Sequence, residues 1–112
     1  MKIETLKKGK YLILGLSDVS KGQLDLANIK KLKALIEAVL PPEELHVLLD
    51  MSKITYIDSS VIGYFVDLLN RFRGRTGSFG LIAINPKIQN ILELANLTKF
   101  FAIFPSVDSV EG

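Results

Sequence analysis

The sequence has 112 residues, no cysteine and a formal net charge of +2, and 48% of its residues are hydrophobic. This composition excludes a disordered or fibrous chain, and the lack of cysteine excludes disulfides, thiolate catalysis and cysteine-ligated metals. The basic excess is too small to indicate nucleic-acid binding. The sequence shows neither a signal peptide nor an apolar run of about 20 residues, so we expect a cytoplasmic protein with one domain over residues 1–112 and no membrane span.

In the first third of the chain, the apolar pattern predicts a hairpin followed by a helix. Apolar runs at residues 3–6 and 11–16 flank a glycine-containing turn, as in a β-hairpin. After a polar loop at residues 17–24, apolar residues recur at helical spacing behind Asp25, which we predict to be the N-cap of the first helix. The members of this apolar stripe are Leu26, Ile29, Leu32, Ile36 and Val39.

The remainder of the chain alternates strands with helices. A buried strand is predicted at residues 46–51, a second helix at 60–72, a strand at 79–84 and a third helix that begins with Asn85 as N-cap and Pro86 at its first position. A last strand follows at residues 100–104, and Ser106 or Asp108 begins a final turn. This order implies right-handed βαβ crossovers, hence an α/β fold with a mixed, mostly parallel sheet of four to five strands and helices packed on it.

The residues that catalysis requires are largely missing. His46 is the only histidine, so a zinc site has too few ligands. A G-x-S-x-G nucleophile motif is absent, as are a phosphate-binding G-x-x-x-x-G-K-[ST] loop and a G-x-G-x-x-G after a strand. We therefore predict that the protein is not an enzyme and has no catalytic, metal-binding or cofactor-binding residues.

Asp58, Ser59 and Ser60 lie between two apolar runs, where a strand passes into the second helix. Such residues cap helices, because a side-chain oxygen accepts an unpaired backbone N–H of the first turn. The same position presents a hydroxyl to other proteins, and a phosphate there would meet free N–H groups and the positive end of the helix dipole. Capping and a phosphorylation switch are both compatible with this stretch.

Three ordered segments carry a family resemblance: "GQLD" at residues 22–25, "HVLLDMSKITYIDSS" at 46–60 and "VIGYFVDLLNRFRGRTGSFGLIAINPKIQNILELANLTKFFAIF" at 61–104. The chain resembles STAS domains, in particular the bacterial anti-sigma factor antagonists. The resemblance implies a non-catalytic, cytoplasmic regulator of transcription that binds an anti-sigma factor, often itself a serine kinase. It also implies phosphorylation of Ser59 by that kinase and dephosphorylation by a phosphatase. The implied partner-binding residues are Asp25, Asp58, Ser59, Ser60, Val61 and Ile62.

One departure from the family pattern leaves alternatives open. Val61 stands where the family has a glycine after the second serine. A non-switching STAS scaffold subunit of a stress-signalling or lipid-transport assembly is therefore a second hypothesis. A homodimer is also open, because the C-terminal helix is short and leaves the sheet less covered. A small-molecule or nucleotide binder is a third hypothesis.

Overall fold

The computed structural model describes residues 1–111. Its strands are β1 (Lys2–Lys8), β2 (Tyr11–Ser17), β3 (Gln23–Leu24), β4 (His46–Asp50), β5 (Tyr56–Ile57), β6 (Ser78–Ile82) and β7 (Ala102–Phe104). Its helices are α1 (Ile29–Val39), α2 (Ser59–Arg73) and α3 (Pro86–Leu94). Two 3₁₀ turns lie at Ser20–Gly22 and Val107–Ser109. No helix within residues 1–111 is long and apolar enough to cross a membrane.

The main sheet has five strands in the order β1-β2-β4-β6-β7. β1 and β2 form the predicted antiparallel hairpin, and every other neighbouring pair is parallel. The predicted α/β fold with a mixed, mostly parallel sheet is thus confirmed. The short strands β3 and β5 form a separate parallel pair, which the sequence pattern did not predict.

The three helices pack on one face of the main sheet. After β2 the strand order advances in one direction, and right-handed crossovers then place every connecting helix on the same side. Alternate residues of β2, β4 and β6 meet the helices there, because side chains alternate between the faces of a strand. The strands contribute Leu12, Leu14, Leu16, Val47, Leu49, Phe79 and Leu81 to this core.

The opposite face of the sheet is covered by the segment after β7. Val110 is buried against Ile13, Leu48 and Ile82, and the half-buried Val107 packs on the same cluster. The 3₁₀ turn at Val107–Ser109, which Val110 follows, has Ser106 as its N-cap, and the Ser106 hydroxyl accepts from the backbone N–H of Ser109. The prediction of a final turn starting at Ser106 or Asp108 is therefore correct for Ser106.

Helix ends agree with the sequence at some positions and differ at others. Asn85 caps α3 by accepting from the backbone N–H of Ile88, as predicted. The predicted N-cap at Asp25 is wrong, because α1 begins only at Ile29 with Asn28 at the N-cap position. Leu26 accordingly lies outside the helix and is 74% exposed instead of joining the apolar stripe.

Glycines permit the closest backbone approaches beside β6. A Cβ added to Gly80 would overlap the carbonyl oxygen of Ala102, and one added to Gly77 would overlap that of Leu45. The three glycines at residues 74–80 thus include two that strand packing requires.

Candidate functional site

The candidate site is built around the first turn of α2. Asp58 is its N-cap residue, with an extended backbone. Its Oδ1 accepts hydrogen bonds from the backbone N–H of Ser60 at 3.0 Å, from the backbone N–H of Val61 at 3.2 Å and from the Ser60 hydroxyl at 2.6 Å. The capping interpretation of the Asp-Ser-Ser stretch is therefore correct for Asp58.

The second carboxylate oxygen of Asp58 reaches a different segment. Asp58 Oδ2 accepts the backbone N–H of Leu26 at 2.9 Å. The two segments are already joined by the β3–β5 pair, in which Leu24 aligns with Ile57. Gly22 is required just before this pair, since its φ is 66° and a Cβ there would lie 2.8 Å from the carbonyl oxygen of Lys53. The glycine of "GQLD" thus serves the docking of one loop onto the other.

Asp25 belongs to a turn that precedes α1. Its Oδ1 accepts from the backbone N–H of Ala27 at 3.0 Å, and its own N–H donates to Asn28 Oδ1 at 2.9 Å. Asn28 Nδ2 donates in turn to the Gln23 carbonyl at 2.8 Å. The structure therefore brings the Asp25 turn next to Asp58, and the direct link is made by the backbone of Leu26.

Ser59 and Ser60 differ in the state of their hydroxyl groups. Ser59 is exposed, and within residues 1–111 its hydroxyl makes no hydrogen bond. The Ser60 hydroxyl is half-buried and donates to Asp58. Of the two hydroxyls, that of Ser59 is accordingly the one open to an approaching protein.

The electrostatic state of Asp58 follows from its contacts. Burial raises the pKa of its carboxyl, but hydrogen bonds from the Ser60 hydroxyl and from the backbone of Leu26, Val61 and Ser60 lower it more. The resulting pKa lies below the ordinary value of 3.8, so Asp58 is ionised at neutral pH. A fixed negative charge therefore precedes Ser59 in the chain.

These contacts correct the expectation that free N–H groups await a phosphate on Ser59. The N–H groups of Ser60 and Val61 are both already bonded to Asp58 Oδ1. A phosphate at Ser59 would find these two donors occupied and a carboxylate beside it. Its main consequence would be added negative charge on the surface.

The next residues of α2 separate into buried and accessible positions. Val61 is fully buried in the main core, Ile62 is half-buried, and Gly63 is exposed. A Cβ at Gly63 would meet no atom within 4 Å. Ile62 and Gly63 thus lie within reach of a partner, whereas the Val61 side chain supports the surface from beneath and is not accessible to one.

His46 is far from this site in the fold. It begins β4, whereas Asp58 follows the carboxyl end of β5, and its Nδ1 lies 2.8 Å from Ser78 Oγ. Its ring also packs edge-on against Tyr11, with 6.0 Å between centroids. The contacts of His46 are thus with Ser78 and Tyr11, and it does not join Ser59 or Ser60 in a catalytic arrangement.

A cavity of about 480 Å³ also lies apart from Ser59, and it is lined by Lys10, Tyr11, Phe104, Ser109 and Glu111. Lys10 lies in the turn before β2, Tyr11 begins β2, Phe104 ends β7, and Ser109 and Glu111 follow β7. Ser59 lines neither this cavity nor the smaller one beside Ser52 and Lys53, and its exposed hydroxyl is open to contact with another protein.

Sequence reasoning did not find Leu26 and Asn85 as members of this region. Asn85 Nδ2 donates to the Thr55 carbonyl at 3.0 Å and so ties the start of α3 to the segment before β5. The only sequence signal for Asn85 was its capping position, and Leu26 resembled a core residue of the helical stripe.

The fold and the site define a small α/β domain with an exposed serine at the start of a capped helix. The family model for the STAS domain matches residues 20–110. The chain belongs to the STAS domain family, as the resemblance predicted.

Known proteins similar to the chain carry consistent names. It is 24% identical over 91 residues to the anti-sigma-B factor antagonist of Listeria monocytogenes, an alignment that covers 81% of this chain and 76% of the relative. Its fold matches an anti-sigma-factor antagonist (STAS) domain protein from Planctomyces limnophilus with a TM-score of 0.82 and 14% identity, over 96% of this chain and 93% of that one.

A third similar structure exists in two chemical states. The anti-sigma factor antagonist SpoIIAA has been solved in an unphosphorylated form and, from Bacillus, in a phosphorylated form. The TM-scores are 0.69 and 0.63, each at 14% identity over 90% of this chain, with 86% and 89% of those chains covered. At this identity the likeness concerns the fold.

Proposed function

We propose that this protein is an anti-sigma factor antagonist: a non-catalytic regulator that binds an anti-sigma factor and thereby frees a sigma factor. Its membership of the STAS family and the names of its relatives support this class. The accessible contact residues are Asp25, Asp58, Ser59, Ser60 and Ile62, while Val61 holds the first turn of α2 against the core. The partner is the anti-sigma factor, which as a serine kinase modifies Ser59, and a phosphatase reverses the reaction.

The observation that supports the switch is that the Ser59 hydroxyl is exposed and makes no hydrogen bond within the described residues, while Asp58 caps the helix. Because Asp58 supplies the cap, the Ser59 hydroxyl can be modified without loss of a hydrogen bond in α2. A phosphate adds about 1.5 to 2 negative charges at neutral pH. The helix dipole favours these charges at the N-terminus of α2, whereas the ionised Asp58 beside them repels them. Because no hydrogen bond of α2 is lost, we expect the chain to stay folded while its surface charge changes.

The first experiment identifies the partner. The chain is purified from its native cells with whatever it binds, and its intact mass and phosphorylated peptides are measured. We expect phosphate on Ser59 in one fraction, and an anti-sigma factor with kinase activity recovered only with the unmodified fraction. Recovery of no anti-sigma factor with either fraction would refute the proposed class.

The second experiment tests the switch by titration calorimetry with that anti-sigma factor. Ser59→Asp is expected to weaken binding and Ser59→Ala to preserve it. Ser52→Asp is the matched control, because Ser52 is also exposed and the substitution adds the same charge. Ser52 lines a cavity with Glu4 and Asp50 and lies outside the proposed contact residues. Equal binding by the two Ser59 variants contradicts the switch.

Val61 favours a second candidate, the non-switching scaffold subunit of a stress-signalling or lipid-transport assembly. Val61 fills the core, and its N–H is bonded to Asp58. This candidate predicts a stable complex whose composition is the same for Ser59→Asp and Ser59→Ala. Size-exclusion chromatography with light scattering distinguishes that result from the transient, Ser59-dependent complex.

A further inference from the structure

Leu26 is an exposed apolar side chain next to the surface formed by Asp25, Asp58, Ser59, Ser60 and Ile62, which we call the Ser59 surface. It is 74% exposed, although its backbone N–H is bonded to Asp58 Oδ2 at 2.9 Å. Large apolar side chains are common on protein surfaces one at a time, so exposure alone says little. Two further features of its surroundings distinguish this leucine.

The first feature is the rigidity of the turn that carries it. Residues 25–28 are fixed by the bonds of Asp25 with Ala27 and Asn28, and Asn28 is tied to the Gln23 carbonyl. Asp58 adds a bond from the neighbouring segment. The turn therefore needs little ordering when a partner binds, which lowers the entropic cost of using Leu26 in an interface.

The second feature is the bare backbone of Gly63 on the exposed side of α2. Gly63 lies four residues after Ser59, so both lie on the same side of the helix. A glycine inside a helix destabilises it, yet nothing within 4 Å of a Cβ at Gly63 requires the glycine. Close approach by a molecule from outside the chain is a use that fits this position.

We propose that Leu26 is the apolar anchor of the interface with the anti-sigma factor, inserted into an apolar pocket of that partner while the partner packs against Gly63. This inference rests on the proposed function and names how the same surface holds its partner. The occupant is the anti-sigma factor, because the Leu26 turn is continuous with the Ser59 surface through Asp58. Buried apolar anchors near the centre of an interface supply most of the affinity in many complexes.

If Leu26 is the anchor, a phosphate on Ser59 can weaken partner binding without any change in the fold of this chain. Ser59 follows the residue that holds the Leu26 backbone. A phosphate there introduces about two negative charges at the edge of an apolar contact, and those charges must lose water when the contact forms. Phosphorylation therefore weakens an interface anchored by Leu26 even though the fold is unchanged.

The test compares two leucines of similar exposure by titration calorimetry against the anti-sigma factor. Leu26→Ala is expected to weaken binding by about thirtyfold, with a smaller negative heat capacity change. Leu94→Ala is the control, since Leu94 is 79% exposed at the last residue of α3, the end remote from Asn85. Leu94→Ala is expected to leave binding within about twofold of the wild type, because an exposed side chain outside an interface contributes little.

A rescue variant and a folding check complete the design. Leu26→Met is expected to retain most of the affinity, because a similar volume still fills an apolar pocket. Circular dichroism of all variants is expected to match the wild type. If the wild type binds and Ser59→Asp weakens it, but Leu26→Ala binds as the wild type does, the anchor is refuted and the proposed function stands. If the wild type binds no anti-sigma factor, both are refuted.

Discussion

The carboxylate of Asp58 joins the backbone of Leu26 to the first turn of α2, with 2.9 Å between Leu26 N and Asp58 Oδ2. The two residues are 32 positions apart in the sequence. One side chain thus caps a helix with Oδ1 and fixes a neighbouring turn with Oδ2. The position of the turn relative to the helix therefore depends in part on this ionised group, in addition to the β3–β5 pair.

Replacement of Asp58 tests that dependence. Asp58→Ala removes the cap and the Leu26 bond, and we expect it to lower the free energy of unfolding by about 1 to 2 kcal/mol. Asp58→Asn keeps one accepting oxygen for the helix but turns an amide donor toward the Leu26 N–H, so a smaller loss is expected. Urea unfolding monitored by circular dichroism measures the free energy of unfolding of both variants. If Asp58→Ala is as stable as the wild type, the role of the cap is contradicted.

Acid should remove the contribution of Asp58. Its pKa is lowered in the folded chain, so the stability that it contributes is fully present above the ordinary pKa of 3.8 and is lost as the pH falls through the lower folded pKa. The stability difference between the wild type and Asp58→Asn is therefore expected to be constant near neutral pH and to shrink below pH 3.8. Urea unfolding at a series of pH values measures this, and a difference that persists in acid would show that the charge is not its source.

Gly63→Ala should stabilise the isolated chain. A helix-interior glycine costs about 0.5 to 1 kcal/mol relative to alanine, and the added Cβ meets nothing within 4 Å. We expect a gain of that size in urea unfolding, accompanied by weaker binding of the anti-sigma factor. Gly80→Ala is the control for a required glycine, since its Cβ would overlap the Ala102 carbonyl and destabilise the sheet.

Tyr64→Phe should also stabilise the fold. The Tyr64 hydroxyl is buried without a hydrogen-bond partner in the described part of the chain. Burial, followed by the nearby Glu37 carboxylate, raises the pKa of Tyr64 to about 12, so the group stays neutral under ordinary conditions. Removal of an unsatisfied buried hydroxyl is expected to raise the free energy of unfolding by about 1 kcal/mol.

The control for this prediction is Tyr56→Phe. Tyr56→Phe removes the same chemical group, but Tyr56 is only half-buried, whereas Tyr64 is buried. Thermal unfolding is expected to show a higher midpoint for Tyr64→Phe and little change for Tyr56→Phe. A lower midpoint for Tyr64→Phe would mean that its hydroxyl is stabilised by water or another partner.

The sheet and two of the three helix starts could be predicted because their signals are local. A buried strand such as β4 shows as an apolar run, and Asn85 followed by Pro86 marks the start of α3. Leu26 could not be placed, because its spacing fits the apolar stripe of α1. In the structure Leu26 lies in a turn before α1, and its N–H is bonded to Asp58, a contact between segments distant in the sequence.

The part of the site that could be predicted from the sequence is again the part with a local signal. Asp58 as a cap and Ser59 as an exposed hydroxyl follow from their position between two apolar runs. The occupation of the Ser60 and Val61 N–H groups by Asp58 depends on side-chain geometry, which the sequence does not contain. The hydrogen bond from Leu26 to Asp58 could not be predicted either, because it forms only after two segments 32 residues apart come together.

Because β3 pairs with β5, the surface around Ser59 is formed by two separate segments and exists only in the folded chain. A synthetic peptide of residues 54–65 contains Asp58 and Ser59 but lacks β3 and the turn at residues 25–28. An enzyme that reads both segments would modify the folded protein and ignore newly made or unfolded chains. Phosphorylation at this position would then also report that the chain has completed its folding.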